Sequence, residues 1–157
     1  MIEVYIPGYK DLKIKNVVFD FNGTIAEDGA IKEETKDNII KLSKLGLKLY
    51  VATADTHGSA RSQCEGLPID IKIFQQDDAT LSKKNIIEEL NKEVTVAIGN
   101  GRNDSAMLKE SILSMAIIGK EGAFCKSIME ADIVVQDINH AIELLLYPKR
   151  LIATLRG

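Results

Sequence analysis

An aspartate that could take part in chemistry follows the first strongly apolar stretch of the chain. The run Val17–Phe19 predicts a short strand buried on both faces, and Asp20 stands at its C-terminal end. Gly23 permits the tight loop that must follow, and Thr24 can donate a hydroxyl. The carboxylate of Asp20 is therefore either a solvated loop group or a nucleophile or metal ligand on a rigid support.

Polar side chains also end two later strand patterns. Thr53 follows the apolar run Leu47–Ala52, and the stretch Gly99–Asp104 follows the run Val94–Ile98. In parallel α/β sheets, ligands bind outside the carboxyl ends of the strands. We therefore expect these polar groups to lie together with Asp20 on one rim of the sheet.

A lysine from a predicted helix reaches the same rim. Lys83 stands in the first turn of a helix predicted over 81–91, and the spacing favours it over Lys84, which is expected in solvent. The rim then offers a carboxylate, a hydroxyl, an ammonium group and an acidic cluster, which together suit phosphoryl transfer. The lysine and a magnesium ion would offset the phosphate charge, the hydroxyl would donate to a phosphoryl oxygen, and Asp20 would attack phosphorus.

The elements that must position these groups alternate between strand and helix. A helical period covers 31–45, and further strand patterns lie at 69–74, 113–118 and 133–135. This alternation predicts one α/β domain over residues 1–157, a three-layer, doubly wound domain with a mainly parallel sheet. Residues 1–15 leave two alternatives, an N-terminal hairpin or an edge strand.

The composition argues against a nucleic-acid or membrane protein. The chain of 157 residues has a formal net charge of −3, so it has no basic surplus for neutralising a nucleic-acid backbone. There is no signal peptide and no apolar run long enough to span a bilayer, and we therefore expect a cytoplasmic location. Cys64 and Cys125 lack ligand-like spacing and are predicted to be buried free thiols.

The polar stretches resemble, in order, the four motifs of the haloacid dehalogenase superfamily, and in particular the phosphorylation domain of P-type ATPases. Thr53-Ala54-Asp55 stands where those ATPases have Thr-Gly-Asp. The likeness runs from about Asn16 to the C-terminus, and four motifs in one order are a far more specific signal than any single motif. The resemblance depends on Asp20-Phe21-Asn22-Gly23-Thr24, Thr53, Lys83 and Gly99-Asn100-Gly101-Arg102-Asn103-Asp104.

The resemblance implies an aspartyl-phosphate intermediate on Asp20 with a magnesium ion beside it. Asp20 and the backbone carbonyl of Asn22 then ligate the metal, while Thr53 and Lys83 hold the phosphate. The other implied site residues are Gly23 and Ala54 for phosphate, Asn100 and Asp104 for the metal, and Asn103 in the shell around it. The interval between Thr24 and Thr53 is too short for a nucleotide-binding domain. The chain therefore resembles a capless, free-standing member, a soluble P-type-ATPase-like phosphatase.

Two asparagines stand where the family has acids. Family phosphatases carry a general acid and base two residues after the nucleophile, and Asn22 at that position cannot exchange a proton usefully. The P-type ATPases also lack this acid and have a long-lived phosphoenzyme. We therefore expect slow hydrolysis or a need for good leaving groups. Asn100 replaces a metal-ligating Asp with a weaker amide ligand, for which Asp104 would compensate directly or through water.

The sequence leaves two classes of function open. The first is a magnesium-dependent phosphohydrolase that acts on a phosphorylated small molecule or a phosphoprotein. The alternative is a catalytically weak or inactive regulatory protein that binds phosphate or a phosphorylated partner, as the two asparagines would allow. A capless site is open, so we expect a macromolecular phosphate or a neighbouring copy in a homo-oligomer to cover it. The sequence leaves two roles for Asp55, contact with the substrate or capping of the helix that follows it.

Overall fold

The computed structural model describes residues 1–157, except for the side chain of Gln76. The strands are β1 (Ile2–Tyr5), β2 (Asp11–Ile14), β3 (Asn16–Asp20), β4 (Lys48–Thr53), β5 (Asp70–Ile73), β6 (Thr95–Gly99), β7 (Leu113–Ile117) and β8 (Ile133–Val135). The helices are α1 (Glu33–Lys44), α2 (Ser59–Cys64), α3 (Ala79–Glu89), α4 (Ser105–Glu110), α5 (Cys125–Glu130), α6 (Ile138–Leu146) and α7 (Pro148–Leu155). This order confirms the predicted alternation.

Six of the strands form one parallel sheet in the order β5-β4-β3-β6-β7-β8. The chain moves outward from β3 through β4 to β5, and then returns to place β6 on the other side of β3. The winding direction therefore reverses between β3 and β6. Asp20 and Gly99 end these two strands, so the predicted site lies at the switch point where open α/β sheets form their binding crevice.

Two helical layers cover the sheet, as the three-layer prediction requires. Alternate residues of β3 serve the two faces because successive side chains of a strand point in opposite directions. Val17 and Phe19 pack in the core that contains α1 and α6, whereas Val18 packs in the core that contains α3 and α4. Every residue of β3 is buried. The strand that ends in Asp20 is consequently a rigid support.

The N-terminal segment forms a separate antiparallel hairpin rather than an edge strand of the main sheet. β1 pairs with β2, with Ile2 opposite Ile14. The buried side chains of the hairpin join the same core as α1 and α6. Its turn is fixed by Tyr9, whose hydroxyl donates to Asp132 at 2.5 Å.

Two other findings concern the predicted surface of the chain. Cys64 is buried and free as predicted, but Cys125 is exposed because α5 begins there with that side facing solvent. Within the described part of the chain, every helix is too short or too polar to cross a membrane.

Candidate active site

A lysine between two carboxylates forms the centre of the site. Lys83 Nζ donates to Asp20 Oδ1 at 2.5 Å and to Asp104 Oδ1 at 2.6 Å, and only 1% of its side chain is exposed. The helix α3 that carries Lys83 begins earlier than predicted because Asp78 caps it and accepts the N–H of Leu81 at 3.0 Å. Lys83 thus stands in the second turn of the helix. The adjacent Lys84 pairs with Glu88 and Glu110 at the surface, as its predicted exposure requires.

Asp104 bonds both to the loop after β6 and to Lys83. Its Oδ2 accepts the backbone N–H groups of Asn100 at 3.0 Å and Gly101 at 2.8 Å, and none of its surface is exposed. Gly99 makes room for this arrangement, since a Cβ there would lie only 2.6 Å from Asp104 Cγ. Asp104 therefore closes the loop after β6 and forms an ion pair with Lys83, while its predicted role as a metal ligand, directly or through water, stays a prediction.

The hydroxyl group of Thr53 can donate a hydrogen bond to a bound group. Thr53 ends β4 and is 7% exposed, and its Oγ1 accepts the N–H of Asp55 at 3.1 Å. Among the described residues no acceptor takes the Thr53 hydroxyl proton, which leaves it for a bound oxygen. On the other side of the site, Asn103 Oδ1 accepts from Lys83 at 3.4 Å, so the amide NH₂ of Asn103 remains as a further donor.

Asp55 makes the capping contacts that one of its two predicted roles requires, and it also lines the cavity of the site. Asp55 Oδ1 accepts the N–H of Ala60 at 2.8 Å and Oδ2 accepts that of Arg61 at 3.4 Å. Asp55 itself has a φ of 43° and Gly58 one of 70°, so the chain makes a turn before α2 begins at Ser59. Helix α2 consequently begins only after this turn.

The loop after the nucleophile brings a second set of oxygen atoms toward Asp20. The hydroxyl of Thr24 lies 3.2 Å from Asp20 Oδ2 and 3.3 Å from Asn100 Oδ1. Asn100 Nδ2 donates to the carbonyl of Gly122 at 3.2 Å, which turns its amide oxygen toward Thr24. The N–H of Gly23 donates to the carbonyl of Ala26 at 2.9 Å, and the predicted phosphate contact of Gly23 stays a prediction.

Most of the predicted residues line one cavity of about 560 Å³ at the carboxyl ends of β3, β4 and β6. Gly23 and Asp104 are not among its wall residues. Sequence reasoning missed Phe74 and Glu121, which also form the wall. Glu121 follows β7, a neighbour of β6 in the sheet, so the rule that ligands bind beyond strand ends could have identified its loop. The predicted residues on the wall are Asp20, Asn22, Thr53, Ala54, Lys83, Asn100 and Asn103.

The electrostatics of the two central groups follow from their burial and their neighbours. Burial raises the pKa of Asp20 to about 6, the charge of Asp104 adds to the rise, and Lys83 opposes it. Burial alone would lower the pKa of Lys83, but the charges and hydrogen bonds of Asp20 and Asp104 outweigh it and raise this pKa. At neutral pH Asp20 is therefore mainly a carboxylate and Lys83 an ammonium ion, as nucleophilic attack on phosphorus requires.

The raised pKa of Asp20 predicts a pH-dependent stability in metal-free protein. An ordinary aspartate has a pKa of 3.8, so between about pH 4 and pH 6 folded Asp20 binds more protons than unfolded Asp20. The free energy of unfolding should therefore fall as pH rises through this window, by on the order of 3 kcal/mol from this group. Urea unfolding at several pH values, compared between wild type and Asp20→Asn, isolates the contribution. Parallel pH profiles for the two proteins would contradict it.

The oxygen atoms beside Asp20 suit a hard divalent cation, although the ligand set is sparse. Asp20 Oδ2 and Asn100 Oδ1 both face Thr24, and carboxylate and amide oxygens are ligands that magnesium accepts. In the described part of the chain no three His, Cys, Asp or Glu side chains converge as a metal cluster. The oxygen atoms present can thus bind a divalent cation, but they comprise one buried carboxylate and otherwise neutral oxygens.

Sequence comparisons relate the chain to a soluble phosphatase and to P-type ATPases. It is 50% identical over 80 residues to an uncharacterised protein of Methanocaldococcus jannaschii, covering 48% of this chain and 86% of that one. It is 27% identical over 123 residues to a soluble P-type ATPase-like phosphatase of the same organism, covering 77% of this chain and 45% of the phosphatase. A probable copper-exporting P-type ATPase of Archaeoglobus fulgidus is 29% identical over 96 residues, which are 60% of this chain and 12% of the ATPase. No model of a known protein family matches the chain.

Structural comparisons show the same fold in solved phosphatases. The 3-deoxy-D-manno-octulosonate 8-phosphate phosphatase of Moraxella catarrhalis, in complex with magnesium, phosphate and KDO, has a TM-score of 0.73 and 17% identity. The match covers 91% of this chain and 94% of that phosphatase. The cobalt-bound deoxy-D-mannose-octulosonate 8-phosphate phosphatase of Haemophilus influenzae has a TM-score of 0.72 and 13% identity, over 92% and 94% of the two chains.

The strand that ends in Asp20, the strand that ends in Thr53, the helix that carries Lys83 and the Gly99–Asp104 loop meet at one switch point. Between Thr24 and Thr53 the structure holds only the nucleophile loop, α1 and β4, so the described residues include no cap domain there. The chain resembles a soluble P-type ATPase-like phosphatase in sequence and has the fold of hydrolases of the haloacid dehalogenase superfamily.

Proposed function

We propose that this protein is a phosphohydrolase that works through a phosphoryl group transferred to Asp20. The observation that supports this most directly is the convergence of Asp20, Thr53 and Lys83 on one cavity, with the hydroxyl proton of Thr53 uncommitted. A nucleophile, a hydroxyl donor and a fixed cation are the groups that a phosphoryl transfer needs.

The chain's own residues would divide the work as follows. Lys83 and Thr53 would hold the phosphoryl oxygens, and the NH₂ group of Asn103 would donate a further hydrogen bond. An oxygen of Asp20 would form a bond to phosphorus while the bond to the leaving oxygen breaks. Because Lys83 is fixed by Asp104, its charge is in place before the substrate arrives, which avoids reorganisation during the reaction.

The second step, hydrolysis of phosphorylated Asp20, would be slow because residue 22 is an asparagine. Water must attack phosphorus and lose a proton while the Asp20 oxygen leaves as a carboxylate. Asn22 lines the cavity but its amide cannot accept that proton near neutral pH. We therefore expect the phosphorylated form of Asp20 to decay slowly, and substrates with good leaving groups to react best.

A divalent cation, for which we propose Mg²⁺, would lie beside Asp20, the Asn22 carbonyl and Asn100. When bound, it would neutralise phosphoryl charge and orient the group for attack. The comparison phosphatases support this choice, since they were solved with magnesium or with cobalt. The amide oxygen of Asn100 predicts weaker binding than a carboxylate would give.

The substrate class follows from the shape of the site. The cavity has no covering domain in the described structure, so we propose a phosphorylated small molecule or a phosphoprotein as substrate, in the cytoplasm. A neighbouring copy in a homo-oligomer would be an alternative cover for a small substrate. The chain spans less than half of the soluble phosphatase it matches, and the substrates of such relatives are not transferred to it.

Trapping the intermediate tests the proposal. Wild type and Asp20→Ala are incubated with magnesium and acetyl phosphate, and the intact masses are measured, with peptide mapping of any adduct. We expect one added phosphoryl group on wild type, located at Asp20, and none on Asp20→Ala. If no adduct forms and no acetyl phosphate is consumed, the proposed phosphohydrolase activity is refuted.

A regulatory phosphate-binding protein is the second candidate, because Asn22 and Asn100 both replace acids within the site. It predicts binding of inorganic phosphate by calorimetry without any turnover. Turnover that disappears in Asp20→Ala would exclude it.

A further inference from the structure

The loop after β7 brings an unpredicted carboxylate to the site. Gly119 and Gly122 close a tight turn, in which the N–H of Gly122 donates to the carbonyl of Gly119 at 2.9 Å. Lys120 and Glu121 at the tip of this turn point to different places. Lys120 pairs with Glu27 at 2.6 Å, whereas Glu121 reaches across the nucleophile loop into the cavity that contains Asp20.

Gly23 is the position that lets Glu121 approach. A Cβ on Gly23 would overlap the Glu121 carboxylate, and it would lie 2.6 Å from Asn100 Nδ2. Gly23 also has a φ of 75°, which side chains rarely adopt. The missing side chain at Gly23 thus leaves a space that Glu121 and Asn100 share, directly beside the backbone that follows the nucleophile.

Glu121 is the acid on the described cavity wall whose carboxylate is not engaged by another group of the chain. The described residues place three acids on this wall, Asp20, Asp55 and Glu121. Asp55 is committed to the N–H groups that begin α2. Within the same described structure Glu121 has neither an ion pair nor a hydrogen bond, since the adjacent Lys120 is turned toward Glu27.

The charges in the site favour a second carboxylate beside the cation. Lys83 and Asp104 offset each other, which leaves Asp20 as the remaining anion beside the neutral oxygens of Asn22 and Asn100. A hard divalent cation binds more tightly as more of its oxygen ligands are charged. One further carboxylate would bring the protein charge facing the ion to two negative charges.

We infer that Glu121 is the second anionic ligand of the divalent-cation site and replaces the acid that is absent at Asn100. The ligand set then combines the carboxylates of Asp20 and Glu121 with the amide oxygen of Asn100 and the carbonyl of Asn22. The inference rests on the proposed function only in that it places a cation beside Asp20.

Metal binding without substrate tests this assignment. Mg²⁺ binding is measured by calorimetry and Mn²⁺ binding by electron paramagnetic resonance, on the full chain. Because Glu121 is exposed and makes no contact that the fold needs, Glu121→Gln should fold normally. We expect it to weaken binding of both ions by roughly tenfold to a hundredfold, the range seen when groups around a metal are removed.

Two further variants distinguish a ligand from a general charge effect. Asp28→Asn removes one exposed charge from the same nucleophile loop, and Asn tolerates the φ of 52° at that position. It should leave the affinity within about twofold, as expected for a screened surface charge. Asn100→Asp in the Glu121→Gln background should restore most of the lost affinity, because it returns a carboxylate to the ion.

The outcomes separate this inference from the proposed function. Wild-type affinity in Glu121→Gln, or equal losses in Glu121→Gln and Asp28→Asn, would overturn the role of Glu121. If Glu121→Gln had no specific effect but Asp20→Asn abolished binding, the cation site beside Asp20 would be supported and only the role of Glu121 would be lost. Binding that Asp20→Asn leaves unchanged would place the ion elsewhere and refute both the assignment and the metal in the proposed function.

Discussion

Replacing Asn22 by aspartate is expected to accelerate loss of the phosphoryl group from Asp20 by roughly 10²–10⁴-fold, the usual contribution of a general acid and base. Asn22 lines the cavity and is exposed, so an acid at this position can reach both the leaving oxygen and the attacking water. Rapid mixing with acetyl phosphate, quenching in acid and intact-mass measurement give the decay rate constant of the phosphorylated protein. The change adds a proton acceptor and leaves the nucleophile, Thr53 and Lys83 unchanged.

A matched variant shows whether the acid or merely the lost amide is responsible. Asn22→Ala removes the amide without adding an acid and should decay as slowly as wild type. Asn22→Asp should also acquire a new dependence of the decay rate on pH, because its carboxylate must be ionised to accept a proton. Equal decay rates for wild type and Asn22→Asp would mean that another group already activates the water.

Replacing Lys83 by methionine is expected to lower the free energy of unfolding by about 3–5 kcal/mol. Lys83 is 1% exposed and separates the carboxylates of Asp20 and Asp104, which would then face each other without a cation. Methionine keeps much of the side-chain volume, so the loss reports on charge rather than on a cavity. Urea unfolding followed by circular dichroism at neutral pH measures it.

Lys84→Met is the control from the next position of the same helix. Lys84 is 34% exposed and pairs with Glu88 and Glu110 at 3.6 and 3.7 Å, so its loss should cost less than about 1 kcal/mol. Adding Asp104→Asn to Lys83→Met removes one of the two opposed charges and should recover part of the stability. A Lys83→Met protein as stable as Lys84→Met would show that the buried charges are not balanced in this way.

The two asparagines have distinct consequences in this site. In the proposed mechanism Asn22 would affect the fate of a phosphoryl group once it is on Asp20, whereas Asn100 would affect how firmly a cation is held. Glu121 can compensate for Asn100, because the loop after β7 ends beside the amide. A protein that binds its cation well and releases phosphate slowly would accumulate the phosphorylated form, which suits a timer or a carrier as well as a phosphatase.

The sequence by itself determined the order of the elements and the position of the chemistry within them. Runs such as Val17–Phe19 are apolar on both faces, which only a covered parallel strand satisfies, and polar residues directly after such runs must lie at the carboxyl rim. Asp20, Thr53 and Lys83 were therefore predictable as neighbours before any contact was known. The Asp at 104 was recognisable as part of the site for the same reason.

Only the tertiary structure decided which atoms meet. Asp104 follows β6 as predicted, yet its carboxylate turns back to the N–H groups of Asn100 and Gly101 because Gly99 leaves space for it. The capping contacts of Asp55 depended on where the turn before α2 placed two N–H groups. The strand-end rule identifies only the loop that carries Glu121, because the place of its carboxylate depends on two loops that are distant in sequence and meet at Gly23. Periodicity fixes which rim a residue occupies, whereas the partner of each side chain is set by how the loops pack across that rim.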